Sequence, residues 1–204
     1  LEILNFYLKI RKYKLNQKYK NINHSKKLII KFIASFSNII YEFQNKNTII
    51  TFIRHAKTSK NDKTFLGIGR NPKIFPVKKK LLNSNKIYDK IFSSYLLRAK
   101  ETAKIFKNEN NKIILDKRLN EINYGKFEGI TYKKAKKLFP NITNKLDAGN
   151  SIAFPNGEDY KSVIKRLKSF IRYVIKKNTK KTLVVTHNVV LRVLIGLYYK
   201  IDQK

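Results

Sequence analysis

From residue 48 onward, short apolar runs alternate with stretches whose apolar residues recur at helical spacing. Residues 48–53, 87–92, 112–115 and 183–185 read as strands, rich in Ile, Val and Phe. Residues 96–107, 131–139, 158–177 and 188–199 read as helices. The segment 158–177 is the clearest, with Val163, Leu167, Phe170, Ile171 and Val174 on one face. Gly67, Gly69, Pro72 and Pro76 mark 63–76 as a loop. Pro140 is expected to stop the helix before it, leaving a long loop down to Pro155-Asn156-Gly157. Strands that alternate with helices cannot pair as hairpins. They pack as an α/β three-layer sandwich around a largely parallel central sheet.

Residues 1–47 have another texture: rich in Lys, Asn and Tyr, without Gly or Pro. The spacing over 27–44 predicts an amphipathic helix, so 1–47 is expected to be a basic helical extension ahead of a domain at 48–204. The chain has 46 Lys+Arg against 13 Asp+Glu, a net charge of +33. Such a field attracts nucleic acid, anionic membranes or phosphorylated small molecules. The basic residues are mostly Lys, spread evenly with Asn and Ile, so the bulk of the charge reads as compositional bias. No helix-turn-helix, zinc-finger spacing or aromatic RNA-binding block appears, and no specific nucleic-acid partner is expected. There is no Cys, which excludes disulfides, thiolate metal sites and thiol catalysis. No apolar run is long enough for a membrane span, and a cytoplasmic protein is expected. The chain contains no Met, even at position 1, which reads as a trimmed chain, an unusual start codon or a fragment.

In open α/β sheets, ligands bind beyond the carboxyl ends of the strands. Three expected strands end in polar residues. The first ends in Arg54-His55, the second in Ser93-Ser94 with Arg98 shortly after, the third in Thr186-His187. Any one of these alone is most often a solvated or locally satisfied side chain. Together, two Arg and two of the chain's three His at one sheet edge form an anion pocket. A guanidinium fork binds two phosphate oxygens at once, and a helix N-terminus adds unpaired N–H groups.

The blocks "RHAKTSKND", "SSYLLRAKETA", "LNEINYGKFEG", "PNGED" and "VVTHNVVLR" resemble the histidine phosphatase superfamily in order and spacing. That superfamily is also called phosphoglycerate mutase-like. The likeness covers roughly residues 48–200 and is nearest to the small phosphatase branch that includes α-ribazole phosphatase-like enzymes. It implies a metal-independent phosphomonoesterase, without cofactor, acting on a small phosphorylated substrate. It implies that His55 is the nucleophile and becomes a phosphohistidine, with Glu121 as general acid. It further implies that Arg54, Arg98 and His187 hold the phosphoryl oxygens, that Asn61 touches phosphate, and that Gly67 lets backbone approach the substrate. Glu128 and Glu158 are expected to be structural. Arg192 is expected to be solvated.

The chain departs from the family pattern at Ala56-Lys57, where Gly-Glu is usual, and at Asn188-Val189, where Gly-Gly is usual. A further strand is common in the family beyond the position of Lys204, so the resemblance implies a domain lacking that strand. A mutase with the same site is the nearest alternative. It is disfavoured because only a short stretch separates Gly129 from Pro155. A basic binding protein for nucleic acid or a membrane surface is the alternative from another class. Substrate identity and oligomeric state stay open.

Overall fold

The computed structural model describes residues 40–45, 48–59, 63–77, 87–177 and 179–199. Among these, a five-stranded sheet runs β1 (Ile40–Asn45), β2 (Thr48–Arg54), β5 (Lys181–Thr186), β3 (Lys90–Ser93), β4 (Ile113–Leu115) in spatial order. Strands β2, β5, β3 and β4 are parallel, and β1 lies antiparallel to β2 at the edge. The helices are α1 (Leu97–Phe106), α2 (Tyr132–Leu138), α3 (Pro140–Asp147), α4 (Tyr160–Lys176) and α5 (Asn188–Tyr199).

The alternation of strand side chains divides the core into two faces. Ile50, Phe52, Phe92 and Val184 point to one side, where they meet Val163, Leu167, Phe170 and Val174 of α4 and the apolar side of α5. Ile53, Ile91, Leu183 and Val185 point to the other, against Ala99, Ala103 and Phe106 of α1. Helices on both faces of a parallel sheet give the expected three-layer α/β sandwich, with strands apolar on both sides.

Two expectations are corrected. The helix before Pro140 ends at Leu138, as expected, but no loop follows directly; Pro140 opens α3 at the first helical position. Proline suits that position, because its fixed φ is helical and its missing N–H would have no partner there. The span read as loop from Pro140 to Pro155 therefore begins with two turns of helix. The expected helix over 27–44 is a strand where it is described, at Ile40–Asn45. There the backbone pairs with the open edge of β2, from Ile40 opposite Ile53 to Asn45 opposite Thr48. Ladder hydrogen bonds to a neighbouring strand override helical spacing. The rest of that expected helix lies outside the described residues. Asp159 caps α4 by accepting from the Ser162 N–H at 2.7 Å, so this helix starts at Tyr160, two residues later than expected. Among the described residues, no helix is long and apolar enough to cross a membrane.

Candidate active site

Register places the site. Ile53 of β2 and Ser93 of β3 both pair with Val185 of β5, and Arg54 pairs with Thr186. The three strands therefore end level, and His55, Ser94 and His187 leave the sheet side by side. The ring centres of His55 and His187 are 5.0 Å apart, with planes tilted by 55°. Helix α5 starts directly after His187, and Arg98 falls in the first turn of α1.

His55 is almost fully buried. Its Nδ1 lies 2.7 Å from the Ala56 carbonyl oxygen. A carbonyl only accepts, so Nδ1 carries the ring proton and Nε2 keeps a lone pair. Burial, then the positive charges of Arg54 and Arg98, push the pKa of His55 down to about 3. The ring is therefore neutral at physiological pH. Burial, the His55 ring alongside, and the charges of Arg98, Arg54 and Arg166 likewise push His187 well below the usual histidine range.

Arg98 is fully buried. Its two terminal nitrogens donate to the carbonyls of Gly67 at 2.8 Å and Arg70 at 2.9 Å. Burial lowers its pKa to about 10, against the raising effect of Glu121, so it stays charged at neutral pH. Arg98 Nε, Arg54 Nε and His187 Nδ1 are buried without a hydrogen-bond partner among the described residues. Two guanidinium groups with unpaired donors fit an anion.

Glu121 is buried in the segment between β4 and α2, and its Oε1 accepts from the Ile122 N–H at 3.1 Å. Burial raises its pKa, opposed by that hydrogen bond and by Arg98, Arg54 and Arg166. A carboxyl group shifted upward beside two arginines can hold a proton and give it up. Tyr124, three residues on, is also raised by burial and by the charge of Glu121.

The loop at 67–70 is held from below. Gly67 has φ +57°, and a Cβ there would lie 1.9 Å from Glu128 Oε1. The Glu128 carboxylate accepts from the N–H groups of Ile68 and Gly69 at 2.8 and 2.7 Å. The segment carrying Glu121 is held by Arg166 of α4. That guanidinium donates to the carbonyls of Arg118, Asn120 and Glu121 and pairs with Glu158, whose carboxylate accepts from the Asn123 N–H. Glu128 and Glu158 thus support backbone, as expected.

The fold brings Arg54, His55, Arg98, Glu121 and His187 together, and attaches Gly67 through its carbonyl to Arg98. Asn61 lies outside the described residues. Three of the residues that depart from the family pattern, Ala56, Lys57 and Val189, are accommodated. Ala56 is buried, and its N–H donates to Thr102 Oγ1 at 2.9 Å. Lys57 lies over the Phe75 ring, its Nζ 6.0 Å from the ring centre. Val189 turns into the core rather than toward the site. Sequence reasoning missed Asn120 and Arg166. The partners of Arg166 are mainly backbone carbonyls about forty-five residues away, and no spacing announces them.

A sequence model of the histidine phosphatase superfamily (branch 1) matches residues 78–204, more than half of the chain. The fructose-2,6-bisphosphatase TIGAR of Xenopus tropicalis is 32% identical over 139 residues, 62% of this chain and 50% of that protein. The 6-phosphofructo-2-kinase 1 of Saccharomyces cerevisiae is 31% identical over 121 residues, 57% of this chain and 14% of that protein. The chain thus spans half or less of the length of these relatives. The crystal structure of the α-ribazole phosphatase from Shigella flexneri superposes with a TM-score of 0.62 at 22% identity, over 76% of this chain and 81% of that one. That likeness shows a shared fold.

Proposed function

Because the chain belongs to the histidine phosphatase superfamily, branch 1, we propose that it hydrolyses phosphate monoesters of small metabolites through a phosphohistidine on His55. One observation carries this reading: two buried histidines stand 5.0 Å apart beyond level strand ends, within electrostatic reach of Arg54, Arg98 and a buried carboxyl group. The phosphoryl group docks against Arg54 and Arg98. The Nε2 lone pair of His55 attacks phosphorus in line with the ester oxygen. As the N–P bond forms and the P–O bond breaks, Glu121 gives its proton to the leaving alkoxide. The charge spread over the equatorial oxygens is met by the two guanidinium groups and His187. Glu121, now a carboxylate, takes a proton from water. The hydroxide so formed attacks phosphorus, breaks the N–P bond and releases inorganic phosphate. His55 regains its lone pair.

Relatives named for a fructose bisphosphate and for α-ribazole support a small phosphate ester as substrate. The test is hydrolysis of p-nitrophenyl phosphate in excess chelator, with His55→Ala beside the wild type. Turnover that persists in chelator and disappears in the variant supports the reading. Undiminished turnover in the variant removes His55 from the reaction.

A further inference from the structure

His187 Nε2 lies 2.8 Å from Ser94 Oγ, and Ser94 Oγ lies 2.9 Å from Asn120 Oδ1. The direction of this chain of hydrogen bonds is fixed at its far end. Asn120 Oδ1 also takes the backbone N–H of Tyr95 at 2.9 Å. An N–H only donates, so the amide atom facing Ser94 is the oxygen. The Ser94 hydroxyl must give its single proton to that oxygen. Turned the other way, two oxygen lone pairs would face each other at 2.9 Å. Ser94 Oγ is therefore an acceptor toward its other neighbours, the Leu96 N–H at 3.1 Å and His187 Nε2. His187 Nε2 must carry a proton. The ring is neutral in the free protein, because burial and the charges around it disfavour imidazolium. Those charges come from Arg54 at the end of β2, Arg98 on α1 and Arg166 on α4, with the His55 ring alongside. Nδ1 is then a bare lone pair, buried and without a partner among the described residues. Were a phosphate dianion to meet that lone pair, the two would repel.

We infer that Asn120 is a positioning residue: acting through Ser94 Oγ, it holds His187 as the Nε2–H tautomer, so that a phosphate dianion binds only as His187 Nδ1 takes a proton from solvent. The imidazolium so formed donates from Nδ1 to the anion and keeps its Nε2–H bond to Ser94. This inference rests on the proposed function only for the nature of the ligand. It gives the site a proton-coupled grip on phosphate, tightest where solvent still supplies protons. Arg166 supports the same chain from behind, since it donates to the Asn120 carbonyl at 2.7 Å.

The experiment is two-bond proton–nitrogen NMR of the histidine rings in the full-length, nitrogen-15-labelled protein, free and with inorganic phosphate, at a pH where phosphate is a dianion. In the free wild type, His187 is expected to show Nε2 protonated and Nδ1 bare. Phosphate should protonate both nitrogens. Titration calorimetry in buffers of different ionisation heat should then report uptake of about one proton per phosphate bound. Asn120→Ala frees the Ser94 hydroxyl to donate to Nε2, so the tautomer should move to Nδ1–H and the proton uptake should fall. Free wild-type His187 protonated on Nδ1 alone overturns the inference without any variant. So does a folded Asn120→Ala protein that keeps the wild-type tautomer and uptake. Failure of phosphate to perturb any site resonance counts instead against the proposed function, while the free-state tautomer still judges the role of Asn120.

Discussion

Replacing Arg166 with Met removes the charge and fork of a side chain while keeping much of its stem. In the native protein that fork makes five hydrogen bonds: to the carbonyls of Arg118 at 2.6 Å, Asn120 at 2.7 Å and Glu121 at 3.3 Å, and two to the Glu158 carboxylate. A bond from a charged donor contributes about 1.5–3 kcal/mol, but such bonds in one network are not additive. The Arg166 and Glu158 side chains are 16% and 28% exposed, so water can replace part of what is lost. We therefore count about 1 kcal/mol for each carbonyl left without its donor, and expect a loss of about 3 kcal/mol in total. The assay is urea unfolding of variant and wild type, with an unchanged slope and a lower midpoint. Arg166→Lys should recover less than half of the loss, because one ammonium cannot reach three carbonyls and a carboxylate in different directions. The segment so loosened carries Glu121, and a misplacement of about 1 Å costs on the order of a hundredfold in rate. A loss of stability below about 1 kcal/mol would refute the claim that this guanidinium holds the loop.

Glu121→Gln should slow alkyl phosphates by about 10²–10⁴-fold and p-nitrophenyl phosphate far less, since p-nitrophenolate leaves without a proton. Equal losses on both esters, read from kcat/KM, would remove the acid role. Because His55 and His187 have lowered pKa values in the folded protein, the unfolded chain binds protons that the native chain refuses as pH falls from 6.5 toward about 3. Stability should then fall with pH by up to about 2.7 kcal/mol per unit from the two rings. The raised Glu121 works in the opposite sense and offsets up to one of those protons. Urea midpoints that stay flat from neutral pH down through this window would contradict burial of both rings in neutral form. Gly67→Ala should cost about 3 kcal/mol, because the new Cβ meets Glu128 Oε1 at 1.9 Å on a backbone with φ +57°. A midpoint within error of wild type would show that the loop is held some other way.

What the sequence announced and what it hid follow from the range of the forces involved. Strands β2, β3 and β5 are runs of apolar residues that stop at a polar residue, and that boundary is local. Their level ends then bring Arg54-His55, Ser94 and His187 together without further information. The strong period of α4 was legible for the same reason, with Val163, Leu167, Phe170 and Val174 all buried. Pro140 does close off the helix before it, as expected, but the helix it opens was not legible, because whether a proline leads into a loop or a new helix depends on the chain that follows. Strand β1 was misread because its structure comes from the unpaired edge of β2. Asn120 and Arg166 were invisible because their partners, the Ser94 hydroxyl and a set of backbone carbonyls, are defined only once the sheet and α4 have packed.

The central claim is that His55 carries the phosphoryl group. It is tested most directly by mixing the protein with a phosphorus-32-labelled monoester, quenching in alkali within one turnover and mapping the label by peptide. The expected result is an alkali-stable, acid-labile label on the peptide containing His55, absent in His55→Ala and unaffected by chelator. Label on His187 instead, or full turnover with no labelled histidine at any quench time, would contradict it.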